Sequence, residues 1–188
     1  MREMKLAFAS KEALASEAFR RAHELEARYH GCAQCVLVAL MEIFPEIRSA
    51  EAFRAASALA GGVGLSCAGS CGALSGGVMA IGLFFGRQID DLSDPEGRRF
   101  FAYRLGSALQ KRFEKAYGSG VCKDIQRNTM GRSYRLSVPE EFDAFVKAGG
   151  HSRNCPKVVG AGAEWAAEII LAALEDAGFA LAFHKQAP

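Results

Sequence analysis

From residue 55 to residue 86 the chain carries no charged side chain, and no other feature narrows its folding as far. An uncharged stretch of that length is a candidate either for a membrane span or for the interior of a protein core. Its composition argues for the core. The segment Gly61-Gly62-Val63-Gly64-Leu65-Ser66-Cys67-Ala68-Gly69-Ser70 is small, polar and rich in glycine, so it turns and exposes backbone polar groups that lipid cannot satisfy. Only residues 73–85 read as a continuous, mostly apolar helix. That is too short for a bilayer and the right length for a buried core helix, so no membrane span is expected.

The rest of the chain can complete such a core. Its 188 residues are half hydrophobic and 23% charged, within the range of soluble globular proteins and far from that of disordered ones. A single domain over residues 1–188 is expected. Basic and acidic residues number 23 and 21, for a net charge of +2, too weak a field to recruit nucleic acid or anionic lipid by itself. The first apolar run, Leu6-Ala7-Phe8-Ala9, falls well short of the apolar part of an export signal, so a reducing cytoplasm is the expected location. There, clustered cysteines are more often metal ligands or redox groups than structural disulfides, and this chain has six.

Hydrophobic periodicity predicts an all-α architecture, a bundle of about six to eight helices around two buried ones. Residues 11–28 place Leu14, Ala18, Ala22 and Leu25 at steps of three and four between charges, an amphipathic helix with Ser10 as its N-cap. Residues 32–41 are apolar nearly all round and end at Phe44-Pro45, the pattern of a buried helix closed by proline. An alanine-rich helix over residues 49–60 stops at Gly61-Gly62. The second buried helix spans about residues 71–85 despite Gly72, Gly76, Gly77 and Gly82. Each glycine costs about 1 kcal/mol against alanine in a helix, so Gly72 and Gly76 imply that another backbone or a bound group comes close. A long helix follows over about residues 94–117, with Pro95 in its first turn. Short helices are expected at residues 122–127 and 139–148, a loop at residues 128–138 and a turn at residues 149–154. The last helix begins at Pro156 and closes at Gly178. No convincing set of strands is present.

The cysteines fall at recurring positions. Cys32 follows Gly31, Cys71 follows Gly69-Ser70, Cys122 follows Gly118-Ser119-Gly120, and Cys155 precedes Pro156. Each opens a predicted helix. Free backbone N–H groups and the positive end of the helix dipole favour thiolate there, so thiol pKa values below about 8.5 are expected. Thiolate is both nucleophile and metal ligand. If the helix starts converge, the four sulfurs can hold zinc or an iron–sulfur cluster, or cycle between dithiol and disulfide. Separations of roughly 40, 50 and 30 residues do not match a zinc ribbon and require a preformed scaffold.

Two cysteines stand outside this set. Cys32-Ala33-Gln34-Cys35 is a C-x-x-C at a helix start, as in dithiol oxidoreductases, but no thioredoxin-like βαβ pattern surrounds it, and Val36 in place of histidine excludes c-type haem attachment. Cys67 lies four positions before Cys71. Cys35 and Cys67 are therefore resolving thiols or core filler. Gly62-Val63-Gly64 begins like a dinucleotide fingerprint, but Cys67 stands in place of the third glycine and no strand precedes it. His30, His151 and His184 are each a candidate ligand or base; most histidines so placed are surface or loop residues, but His30 beside Cys32 and His151 near Cys155 can polarise a thiol. Asp124 reads as solvated and Trp165 as core.

Taken together, Cys32-Ala33-Gln34 before an apolar helix, Cys71-Gly72-Ala73-Leu74-Ser75-Gly76 running into Gly77-Val78-Met79, Cys122 after Tyr117-Gly118-Ser119, and Cys155-Pro156-Lys157-Val158 resemble the C_GCAxxG_C_C family of redox-active proteins. The resemblance covers about residues 11–178. It implies a helical protein with thiol or iron–sulfur redox chemistry at Cys32, Cys71, Cys122 and Cys155. Cys35 and Cys67 lie outside the family pattern. The leading expectation is a redox protein with this four-cysteine site, served by a redox partner of unspecified kind and forming a homodimer. The alternative is a non-catalytic binding or assembly module with structural cysteines or structural zinc.

Overall fold

In the computed structural model, which describes residues 2–184, the amphipathic stripe near the N-terminus folds as α1 (Lys11–Tyr29). The Ser10 hydroxyl accepts a hydrogen bond from the Ala13 amide at 3.2 Å, as an N-cap should. The buried stripe is Leu14, Ala15, Ala18, Ala22 and, unexpectedly for a carboxylate, Glu26. The two apolar segments form α2 (Cys32–Ile43) and α4 (Gly72–Phe85). Between them lies α3 (Ala50–Ala55), continued by a 3₁₀ turn, Ala56–Leu59, so the expected helix over residues 49–60 changes pitch halfway.

The helix expected from residue 94 starts later, as α5 (Arg98–Tyr117). Pro95 lies in the turn before it. Asp94 adopts a left-handed φ of 54°, and its carboxylate accepts from the Arg98 and Arg99 amides at 2.9 and 3.1 Å, an anion at a helix start. Asp94→Ala removes both acceptors and places an alanine at left-handed φ. A loss of about 1–2 kcal/mol is expected, read as a lower urea midpoint with unchanged slope.

Then follow α6 (Cys122–Met130), α7 (Pro139–Lys147) and α8 (Cys155–Asp176). The expected turn between the last two is one π-helical turn, Gly150–Asn154. A small sheet adds to the all-α bundle: β1 (Arg2–Leu6) pairs in parallel with β2 (Phe179–Phe183), Met4 opposite Leu181, clasping the start of the chain to its end. Among the described residues there are eight α-helices and no helix long and apolar enough to cross a membrane.

Two buried helices were expected at the centre, and α8 joins them, with fourteen of its 22 residues buried. It packs on α1, α2, α4 and α5. Small residues allow close approach. A Cβ on Gly76 would overlap the Ala33 carbonyl of α2, and one on Gly162 would sit 3.0 Å from the Ala73 carbonyl of α4. The main core gathers Leu37, Leu40, Phe44, Ile81, Leu109, Phe113 and Ile170. A second cluster, Cys67, Cys122, Tyr134, Leu136 and Phe145, lies beside it. Trp165 is half-buried at the edge of the main core, edge-on to Phe113.

Candidate functional site

The uncharged glycine segment folds into an unusual loop. Residues 61–65 all take left-handed φ values between 57° and 68°, and Cys67 follows at 58°. Left-handed backbone costs an L-residue roughly 1–2 kcal/mol, here borne by Val63, Leu65 and Cys67, so the tertiary structure must hold it in place. The Gly62 carbonyl accepts from the Ser66 hydroxyl at 2.5 Å and the Gly69 amide at 3.0 Å. The loop is then stitched to the segment before α6: the Cys71 amide donates to Gly120, the Cys122 amide to Gly69 and the Lys123 amide to Cys67, at 2.8, 3.0 and 2.9 Å. These bonds set the starts of α4 and α6 side by side.

Cys71 is the N-cap of α4, and Cys32, Cys122 and Cys155 are the first residues of α2, α6 and α8. Gly72 makes room for Cys32, whose sulfur a Cβ there would overlap. All four cysteines line one cavity of about 280 Å³ at the seam between the two hydrophobic clusters, walled also by Ile125, Leu136, Phe145 and Val158. Its size is close to the lower end of small-ligand sites, about 300–1,000 Å³. All six cysteines are free thiols.

The other two cysteines are placed differently. Cys35 is buried in the main core, outside the cavity wall, and its thiol donates to the His30 carbonyl at 3.1 Å. Cys67 is buried behind Cys122, and the Gln126 Nε2 is 3.5 Å from both sulfurs. Gly72 and Gly76 do not line the cavity; they serve the contact between α4 and α2.

The acidity expected of thiols at helix starts is reversed. Burial pushes the Cys32 thiol up to about 12 and the Cys71 thiol up to about 11, and raises Cys155 well above its ordinary value. Cys122 is raised first by its hydrogen bond with Cys67 and then by burial. Helix-start amides do favour thiolate, Ala33 at Cys32 and Ala73 and Leu74 at Cys71, but loss of water outweighs them. Cys67 alone moves the other way, down to about 6, through the Cys122 hydrogen bond first and the Leu136 amide and Gln126 side chain after it. The Tyr134 carbonyl, 3.3 Å from the Cys67 sulfur, accepts from the thiol and opposes that ionisation. Cys67 is the more acidic of the pair because it has more donors around it. The cavity-lining thiols, by contrast, are neutral and poorly nucleophilic until a cation replaces their protons.

Two residues of this region escaped the sequence reading. Glu26 lines the cavity at 2% exposure; its signal was a carboxylate continuing the stripe Leu14, Ala18, Ala22 at steps of four. Gln126 carried only the signal of standing four positions after Cys122. His30 and His151 also line the cavity, their ring centroids 3.9 Å apart and the planes tilted by 33°. His184 is exposed beyond β2 and outside the cavity wall, and Asp124 pairs with Arg127 at 2.9 Å on the surface.

A family model described as "Putative redox-active protein (C_GCAxxG_C_C)" matches residues 30–169, a span that contains all four cavity cysteines. No curated protein and no solved structure matches the chain.

Proposed function

Because this chain belongs to the C_GCAxxG_C_C family of redox-active proteins, we propose that its redox centre is an iron–sulfur cluster held by the thiolates of Cys32, Cys71, Cys122 and Cys155, and that it exchanges electrons with a redox partner. The observation that carries this reading is that four free thiols from four separate helix starts line one cavity. The donor set fits, since cysteine thiolates are the usual cluster ligands. Bound there, a cluster supplies a one-electron couple. Zinc would fit the same sulfurs but has no redox chemistry.

The protein's own groups supply the rest. The amides of Ala33, Ala73 and Leu74 at the starts of α2 and α4 favour the thiolate form of Cys32 and Cys71, the form that ligates iron. A reducing compartment suits the reading, because it keeps the thiols free for ligation.

Full-length protein, purified anaerobically and supplied with ferrous iron and sulfide, is expected to turn brown, retain iron and acid-labile sulfide in similar amounts, and bleach on reduction. A colourless product without iron, with all four thiols still free to react, would overturn the proposal.

The Cys67–Cys122 pair favours a second reading, a dithiol/disulfide couple. An oxidised small-molecule disulfide would take two electrons and two protons from the pair, leaving a Cys67–Cys122 bond and two small thiols. Mass spectrometry of the metal-free protein after such oxidation tests this directly. A loss of two hydrogens mapped to Cys67 and Cys122 supports it, and unmodified thiols there would eliminate it.

A further inference from the structure

Among the described residues, two buried side-chain polar atoms lack any hydrogen-bond partner, Oε2 of Glu26 and Nδ1 of His151. Both belong to one cluster on the cavity wall. Buried polar groups are nearly always partnered, so a pair of adjacent exceptions calls for a cause. Glu26 Oε1 lies 3.6 Å from His151 Nδ1. One ligand atom from each of Glu26, His30 and His151 lies within 4.8 Å of the others.

His30 is held as a ligand would be. His30 stands four residues after Glu26, and its Nδ1 donates to the Glu26 backbone carbonyl at 2.9 Å. That bond fixes the tautomer and leaves Nε2 with a free lone pair, the outer-shell arrangement common to metal-bound histidines. Its backbone is strained, with φ at 61°, a cost that positions the ring over His151. His151 lies in the π-helical turn Gly150–Asn154, a distortion frequent at functional sites. A Cβ on Gly150 would overlap the Phe145 ring, so glycine lets the turn press onto Phe145. The His151 ring meets Phe145 edge-on at 5.0 Å.

We propose that Glu26, His30 and His151 form a second, sulfur-free site on the same cavity wall, which binds a divalent first-row transition-metal cation. Two imidazoles and one carboxylate suit such a cation and leave positions open for water or a small ligand. Bonds of about 2.0–2.1 Å require tetrahedral ligands roughly 3.3–3.4 Å apart. The Glu26–His151 edge is already near that spacing, and His30 stands at the exposed rim with a ligand atom within 4.8 Å of both. A cation there gives both orphaned atoms a partner. The site goes beyond the four-thiol reading and does not depend on it.

The test is an anaerobic titration of the reduced protein with cobalt(II) alone, alongside the isosteric Glu26→Gln and alongside His151→Gln, which removes the imidazole. Wild type is expected to bind one cobalt whose visible absorption lacks thiolate charge transfer. Each variant is expected to weaken that event more than about tenfold, while any thiolate-to-cobalt band and the far-UV circular dichroism stay unchanged. Iron–sulfur reconstitution decides the four-thiol reading, and the sulfur-free event tests this site whether or not wild type shows a thiolate band. Equal binding by all three proteins would overturn the proposal. Loss of the thiolate band together with the sulfur-free event would also overturn it, because the two sites would then be one.

Discussion

Replacing Cys71 by serine is expected to remove most of the iron from reconstituted protein while leaving the fold intact. Even outer-shell changes cost roughly 10–100-fold in metal affinity, so loss of a ligand should lower retained iron at least tenfold or so. Loss of metal is usually hard to separate from loss of structure. Here the position separates them, because Cys71 is the N-cap of α4 and makes no side-chain capping hydrogen bond to it. Serine is among the best N-cap residues, so α4 should start at least as well in the variant. Cys35→Ser is the matched control: Cys35 is off the cavity wall, and a hydroxyl can repeat its hydrogen bond to the His30 carbonyl. Iron content and melting temperature, measured on both variants, decide the matter. Full iron in Cys71→Ser would remove Cys71 from the ligand set.

One substitution made at two glycines of α4 is expected to give opposite signs. At Gly76 a new Cβ would overlap the Ala33 carbonyl and lie 3.0 Å from Val36 Cβ. A carbonyl in a buried helix cannot rotate aside, so α2 must shift. Overpacking of this kind costs about 1–3 kcal/mol, occasionally more, and the backbone obstacle puts Gly76→Ala at the upper end. Alanine's helix propensity returns about 1 kcal/mol. A net loss of about 2 kcal/mol lowers the melting temperature by roughly 4–8 °C in a chain of this size. At Gly82 nothing lies within 4 Å of the added Cβ, so Gly82→Ala keeps the propensity gain and should melt higher. If both variants melt higher, α2 and α4 do not approach as closely as described.

Glycine and cysteine positions made the architecture legible because each leaves a local mark. A helix that tolerates Gly72 and Gly76 advertises a close neighbour, and the neighbour is the start of α2. Four helix-opening cysteines advertised four starts, and these line one cavity. The acidity of the thiols was not legible, because local amides favour thiolate while burial, a property of the whole fold, opposes it. The start of α5 was misread for a similar reason: Pro95 suits a first turn, but the Asp94 carboxylate caps the amides of Arg98 and Arg99. The pairing of β1 with β2 joins segments from opposite ends of the chain, and neither strand has a partner near it in sequence. Glu26 needed only one more step along its stripe, but a carboxylate there reads as surface until its neighbours are known.

The spread of the four cavity cysteines over four helices also sets an order of events during biogenesis. Between successive cysteines the unfolded chain runs for roughly 30–50 residues, and gathering such loops is entropically costly before other contacts form. Metal therefore cannot nucleate this fold as it does in a zinc finger. If the four thiolates hold metal as proposed, the scaffold must assemble first, on a main core built mostly from aliphatic and aromatic side chains, and receive its metal afterwards. A chelator should then empty the protein without unfolding it, and loading in the cell becomes a delivery step made to an already folded acceptor.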